Sequence, residues 1–109
     1  MAEYIKHNGP EVVRRAVKIV EYLKGYDGTG SPITALVSEV WRGSGLAYFW
    51  SRYTIWRQAW DMAVYDILNV KPIARERPKR KLTISCGPKA DEFLREARKK
   101  SVKSGRFNN

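Results

Sequence analysis

Glycine and proline cut this chain into pieces too short for anything but small helices and a tight hairpin. Gly9-Pro10, Gly25 with Asp27-Gly28-Thr29-Gly30-Ser31, Gly43-Ser44-Gly45, Pro72, Pro78 and Gly87-Pro88 punctuate the 109 residues. Glycine adopts backbone angles that other residues resist, and proline cannot join a helix interior, so each cluster marks where a regular element stops. Within these bounds Val12, Val13, Ala16, Ile19, Val20 and Leu23 recur at helical spacing, while Arg14, Arg15, Lys18 and Glu21 mostly turn away, the pattern of an amphipathic helix. A shorter second helix takes Ser31 as its cap and Pro32 in its first turn, and gathers Leu36, Val37, Val40 and Trp41 on one face. From about Ser51 to Leu68 a third helix carries an apolar stripe of Ile55, Trp56, Ala59, Trp60, Ala63 and Ile67. At about 100° per residue, Thr54, Arg57, Gln58, Asp61 and Tyr65 collect on its opposite side.

Asn69 ends that helix, and the chain enters a basic hairpin over Ile73 to Ile84 with Arg77-Pro78-Lys79-Arg80 as its tip. Leu82 and Ile84 alternate with polar neighbours as a half-buried strand does. Gly87-Pro88 opens a final helix whose Ala90, Phe93, Leu94 and Ala97 form one stripe. The order is helix, helix, helix, hairpin, helix: a mainly α chain with a small β-hairpin, of α+β class. Residues 1–10 read as an N-terminal arm, 11–100 as one domain and 101–109 as a basic flexible tail.

Charge is the second constraint. From Lys71 to Asn109 there are 13 Lys and Arg against 4 Asp and Glu, whereas Met1 to Val70 carries 8 against 7. Nearly all of the net +10 is therefore local. A single-sign field of this kind attracts polyanions, of which nucleic acid is the commonest. A surplus of Lys and Arg can also serve solubility alone, but that use does not call for such asymmetry.

The words Ile67-Leu68-Asn69-Val70-Lys71-Pro72-Ile73-Ala74-Arg75-Glu76, then Leu82-Thr83-Ile84-Ser85, then Asp91-Glu92-Phe93-Leu94-Arg95-Glu96-Ala97, resemble the winged helix-turn-helix family. The likeness covers Val12 to Lys99 in arrangement and is strongest to small archaeal-type transcriptional regulators. It implies three helices, a two-stranded wing and a C-terminal helix. It also implies a sequence-specific binder of double-stranded DNA with its third helix in the major groove. Thr54, Arg57, Gln58, Asp61 and Tyr65 then face the DNA. Arg57 suits the acceptors of guanine and Gln58 the adenine edge, Thr54 and Tyr65 reach a thymine methyl or a phosphate, and Asp61 meets a cytosine amino group or orients Arg57. Arg75, Arg77, Lys79, Arg80 and Lys81 of the wing contact phosphate or the minor groove. A homodimer on paired half-sites is expected from the same habit. One departure stands out: the family joins its second and third helices by a short turn of about three or four residues, whereas Arg42 to Trp50 is longer if the third helix begins at Ser51. Either that helix starts earlier, near Leu46, or Leu46 to Trp50 is an insert packed elsewhere.

Each assignment has a plainer counterpart. The polar side of the third helix reads equally as a solvated face, and basic hairpin residues also guard an edge strand against pairing. Tyr48, Phe49, Trp50, Tyr53, Trp56 and Trp60 suit core or dimer interface, or a platform on which single-stranded bases stack. The second functional class is a structural RNA-binding component of a ribonucleoprotein, because a ribosomal winged helix has a similar element order. Catalysis finds little support. His7 is the only histidine and lies in the arm, and the glycine pairs at 28–30 and 43–45 lack the lysine of a phosphate loop. The carboxylates show no two-metal spacing, and the single Cys86 cannot form an intramolecular disulfide. No enzyme, cofactor or metal is expected. The longest apolar run, Leu46 to Trp50, is far below the roughly 20 residues that span a bilayer, so the expectation is a soluble, cytoplasmic protein without a membrane partner.

Overall fold

The computed structural model describes residues 3–25, 32–73 and 82–107, with side chains as far as Lys99. Helix α1 (Glu3–His7) is followed by α2 (Pro10–Leu23), which has Gly9 as its cap and Pro10 in the first position, where a missing N–H costs nothing. Strand β1 (Ala35–Leu36) leads directly into α3 (Val37–Gly43), and a 3₁₀ turn (Leu46–Tyr48) into α4 (Arg52–Val64). Strands β2 (Leu68–Pro72) and β3 (Leu82–Cys86) precede α5 (Ala90–Phe107). The class is α+β: mainly helical, with a three-stranded antiparallel sheet in the order β1-β3-β2.

The expected hairpin forms, with its first strand earlier than the sequence suggests. Pairing runs from Leu68 opposite Cys86 to Pro72 opposite Leu82, so residues read as the end of the third helix are strand. The helix stops at Val64 because Asp66 takes φ 63° and the Ile67 N–H returns 3.1 Å to the Met62 carbonyl, a left-handed helix ending. That reversal sends Ile67 and Leu68 into the core, each 3 % exposed or less. The tip, Arg77 to Arg80, lies outside the described residues.

Two further readings change. The second helix starts at Val37 and not at Ser31, since Ala35 and Leu36 pair with Ile84 and Thr83 of β3. Its first turn is held by Glu39, whose Oε1 accepts the Leu36 N–H at 2.8 Å, half of a capping box. The segment read as an arm contains α1, and its Tyr4 and Ile5 are buried. Tyr4 meets Tyr65 and Phe93 edge to face, at 5.4 and 5.8 Å between ring centres. At the other end α5 continues as far as Phe107, past Ser101 where the sequence suggests a tail.

The stripes of α2 and α5 fill the core as their periodicity implies: Ala16, Ile19, Val20 and Leu23 face Ala90, Phe93, Leu94 and Ala97, with Leu82 and Ile84 from the sheet. Lys24 donates to Asp91, and Arg98 to Glu21 at 3.2 Å, tying α2 to α5 on the surface. Their mutual hydrogen bond holds the Lys24 pKa above and the Asp91 pKa below the ordinary values. Exposed pairs of this kind contribute about 0 to 1 kcal/mol. Among the described residues no helix is long and apolar enough to cross a membrane.

Candidate nucleic-acid interface

Helix α4 begins at a defined cap. Ser51 Oγ accepts the Thr54 N–H at 3.2 Å and pairs with the Thr54 hydroxyl at 2.9 Å, which fixes the start of the helix at Arg52. The long connection from α3 is thus a structured turn and not an early start of α4. Gly45, at φ 84°, turns the chain, Leu46 is buried beneath it, and the Trp50 carbonyl accepts the Trp41 indole N–H at 2.7 Å. The Arg15 guanidinium lies 4.2 Å from the centre of the Trp50 ring, a cation–π contact.

The inward face of α4 consists of Ile55, Gln58, Ala59 and Met62, so the helix is rotated relative to the expected aromatic stripe. Gln58 is therefore not a base-reading residue. It is 4 % exposed, and its whole amide is engaged: Oε1 accepts from Arg15 Nε at 2.6 Å, while Nε2 donates to the Val12 carbonyl at 2.7 Å and to the Tyr4 hydroxyl at 3.1 Å. A buried amide is tolerated only when so satisfied. The same burial pushes the Tyr4 hydroxyl pKa up to about 12, against the lowering effect of its Gln58 bond.

Of the other expected contacts on α4, Arg57 and Asp61 do point outward. Thr54 is half-buried with its hydroxyl in the cap, and Tyr65 is half-buried against Tyr4. The Thr54 hydroxyl is thus engaged in the helix cap. Arg75, Arg77, Lys79, Arg80 and Lys81 lie outside the described residues. In their place the outward face brings forward Arg52, Tyr53, Trp60 and Val64, the last three 58 %, 39 % and 78 % exposed. No motif or spacing in the sequence singles out Arg52, which simply follows Ser51 where the helix was expected to begin. Tyr53 stacks on Trp56, and Trp56 meets Trp60 edge to face. The turn before α4 adds Tyr48 and Phe49.

Other places offer less chemistry. A cavity of about 180 Å³ opens between α1, the end of α4 and α5, lined by Tyr4, Tyr65 and Phe93 with Glu3, Lys89 and Glu92. It is smaller than the roughly 300 Å³ at which ligand pockets begin. Burial pushes the half-buried Cys86 thiol pKa up, which disfavours the reactive thiolate. Among the described residues no group of three His, Cys, Asp or Glu side chains is placed to hold a metal ion. No family model, curated protein or solved structure matches this chain.

Proposed function

We propose that the protein adopts the winged-helix arrangement and binds double-stranded DNA as a transcriptional regulator, acting by binding and not by catalysis. The observation that carries this reading is the chain order α2-β1-α3-α4-β2-β3 with the sheet ordered β1-β3-β2. It makes α4, with Arg52 and Arg57 exposed, the helix next in sequence to a hairpin whose connection holds Arg75, Arg77, Lys79, Arg80 and Lys81. In the proposed complex α4 lies in the major groove, and Arg57 donates to the O6 and N7 acceptors of guanine. The basic connection holds phosphates and fixes position without reading sequence. Gln58, engaged in the core, takes no part.

Selection from a randomised duplex pool across a salt series, with a structured RNA as competitor, tests the proposal. A recurring motif is expected for the parent protein. Arg57→Ala should relax preference at one base pair, worth about 1–3 kcal/mol of discrimination, while Arg80→Ala should weaken every duplex alike and flatten the salt slope by about one phosphate contact. Identical effects from both variants, or tighter binding of the RNA without any selected motif, would refute it.

A further inference from the structure

The most exposed large hydrophobic side chains of the described residues are two consecutive rings, Tyr48 at 87 % and Phe49 at 82 %. They do not hang from a loose loop. On one side Leu46 is 3 % exposed and its carbonyl accepts the N–H groups of Phe49 and Trp50 at 3.1 and 3.0 Å. On the other, Trp50 is clamped by the Trp41 hydrogen bond and the Arg15 guanidinium. A turn anchored at both ends presents the two rings with little conformational entropy left to lose on binding. Tyr53, four residues after Phe49 and in the first turn of α4, has one face of its ring stacked on Trp56 and 58 % of the residue open to solvent.

The charge around these rings indicates the occupant. Around the rings Arg42, Arg52 and Arg57 are exposed, against the one exposed carboxylate of Asp61 that follows Trp60 on α4, so positive charge is in excess. A second copy of the chain would bring this cationic face against itself. A nucleic-acid strand instead offers phosphates to the arginines and flat π-surfaces to the rings, and every base has such a surface. Resting on the DNA-binding reading of α4, we propose that Tyr48, Phe49 and Tyr53 form a stacking platform for an unpaired or unstacked base. The protein then prefers DNA with a distorted or bulged step to a perfectly paired duplex, the rings acting as apolar wedges do when they occupy an opened base step.

The test is equilibrium binding of the full chain to a paired duplex, to the same duplex carrying one bulged 2-aminopurine, and to the bulged strand alone. Loss of one ring–base stack corresponds to about 5- to 150-fold in affinity. The parent should prefer the bulged duplex by a factor in this range and change the 2-aminopurine fluorescence. In the Tyr48→Ala/Phe49→Ala variant the preference and the fluorescence change should both disappear. Both substitutions are at exposed positions, and an unchanged melting temperature would establish that the variant is folded. Equal affinity of the parent for paired and bulged duplexes, or an unchanged preference in the folded variant, overturns the platform and leaves the duplex-binding reading standing. Binding of the single strand through the rings without binding of any duplex supports the platform and overturns the groove reading. A dimer mass in solution that the variant loses, with no change in base preference, assigns the rings to a second copy and overturns the platform.

Discussion

Replacing Gln58 with leucine should destabilise the fold while leaving any base preference intact. Leucine has nearly the same volume, so little cavity arises, and the cost comes from stranded polar partners. The Tyr4 hydroxyl, on a residue 1 % exposed, loses its hydrogen bond where water does not reach, and Arg15 Nε loses an acceptor 2.6 Å away. A stranded buried group costs about 1–3 kcal/mol and a lost bond to a half-exposed charged group about 1 kcal/mol more, so the expected total is about 2–4 kcal/mol. For a domain of this size that lowers the melting temperature by about 10–20 °C. Urea and thermal unfolding of Gln58→Leu, Tyr4→Phe and the double variant would complete a cycle. With Tyr4→Phe the stranded hydroxyl is gone, so the double variant should recover about 1–2 kcal/mol relative to the sum of the singles. A Gln58→Leu protein that melts within about 2 °C of the parent, or a strictly additive cycle, would refute the idea that this amide organises the core.

Two further outcomes follow from burial. Because burial raises the Tyr4 pKa from 10.0 to about 12, its neutral form is favoured in the folded chain; the resulting stability is fully present below pH 10.0 and lost as pH rises toward about 12. The difference is on the order of 2–3 kcal/mol, and unfolding of the parent against Tyr4→Phe across that window should show the parent losing the larger share. Gly87→Ala would place a methyl 2.5 Å from the Asp66 carbonyl oxygen and 3.0 Å from the Ile67 carbonyl carbon, backbone atoms that cannot swing aside. A loss of about 1–3 kcal/mol in urea unfolding is expected, and a neutral result would mean that the close approach of β3's end to the end of α4 is not maintained in solution.

Elements whose apolar residues share a single local period were legible in the sequence. The stripes of α2 and α5 and the alternation of Leu82 and Ile84 are such cases, since each element's buried face is written in its own spacing. Strand β1 was hidden for the opposite reason. Two residues have no period, and they become strand only because β3, far along the chain, offers a partner. On α4 the spacing placed Ile55 and Ala59 correctly in the core, but the helix is turned so that Gln58 and Met62 join them while Trp56 is half-buried and Trp60 exposed. Gln58 could join them because Tyr4, Val12 and Arg15 supply partners from two other helices, a circumstance no local pattern records. Of the candidate site, Arg57 and Asp61 were legible as outward residues, and the exposed rings of Tyr48, Phe49 and Tyr53 were legible in composition but not in direction.

The edge-to-face meeting of Tyr4 with Phe93 has a consequence for how the chain assembles. Contacts between residues so distant in sequence pay a larger loop-closure entropy than those inside one hairpin or one helix pair, although the penalty grows only slowly with distance. During synthesis α2, α3 and α4 can meet early, but Tyr4 and Tyr65 acquire their third ring only after α5 has left the ribosome. Until that moment the apolar faces of α1 and α2 that α5 packs against stand open. The ring cluster around Tyr4 is therefore complete only when α1 and α5, the described helices furthest apart in sequence, are both in place.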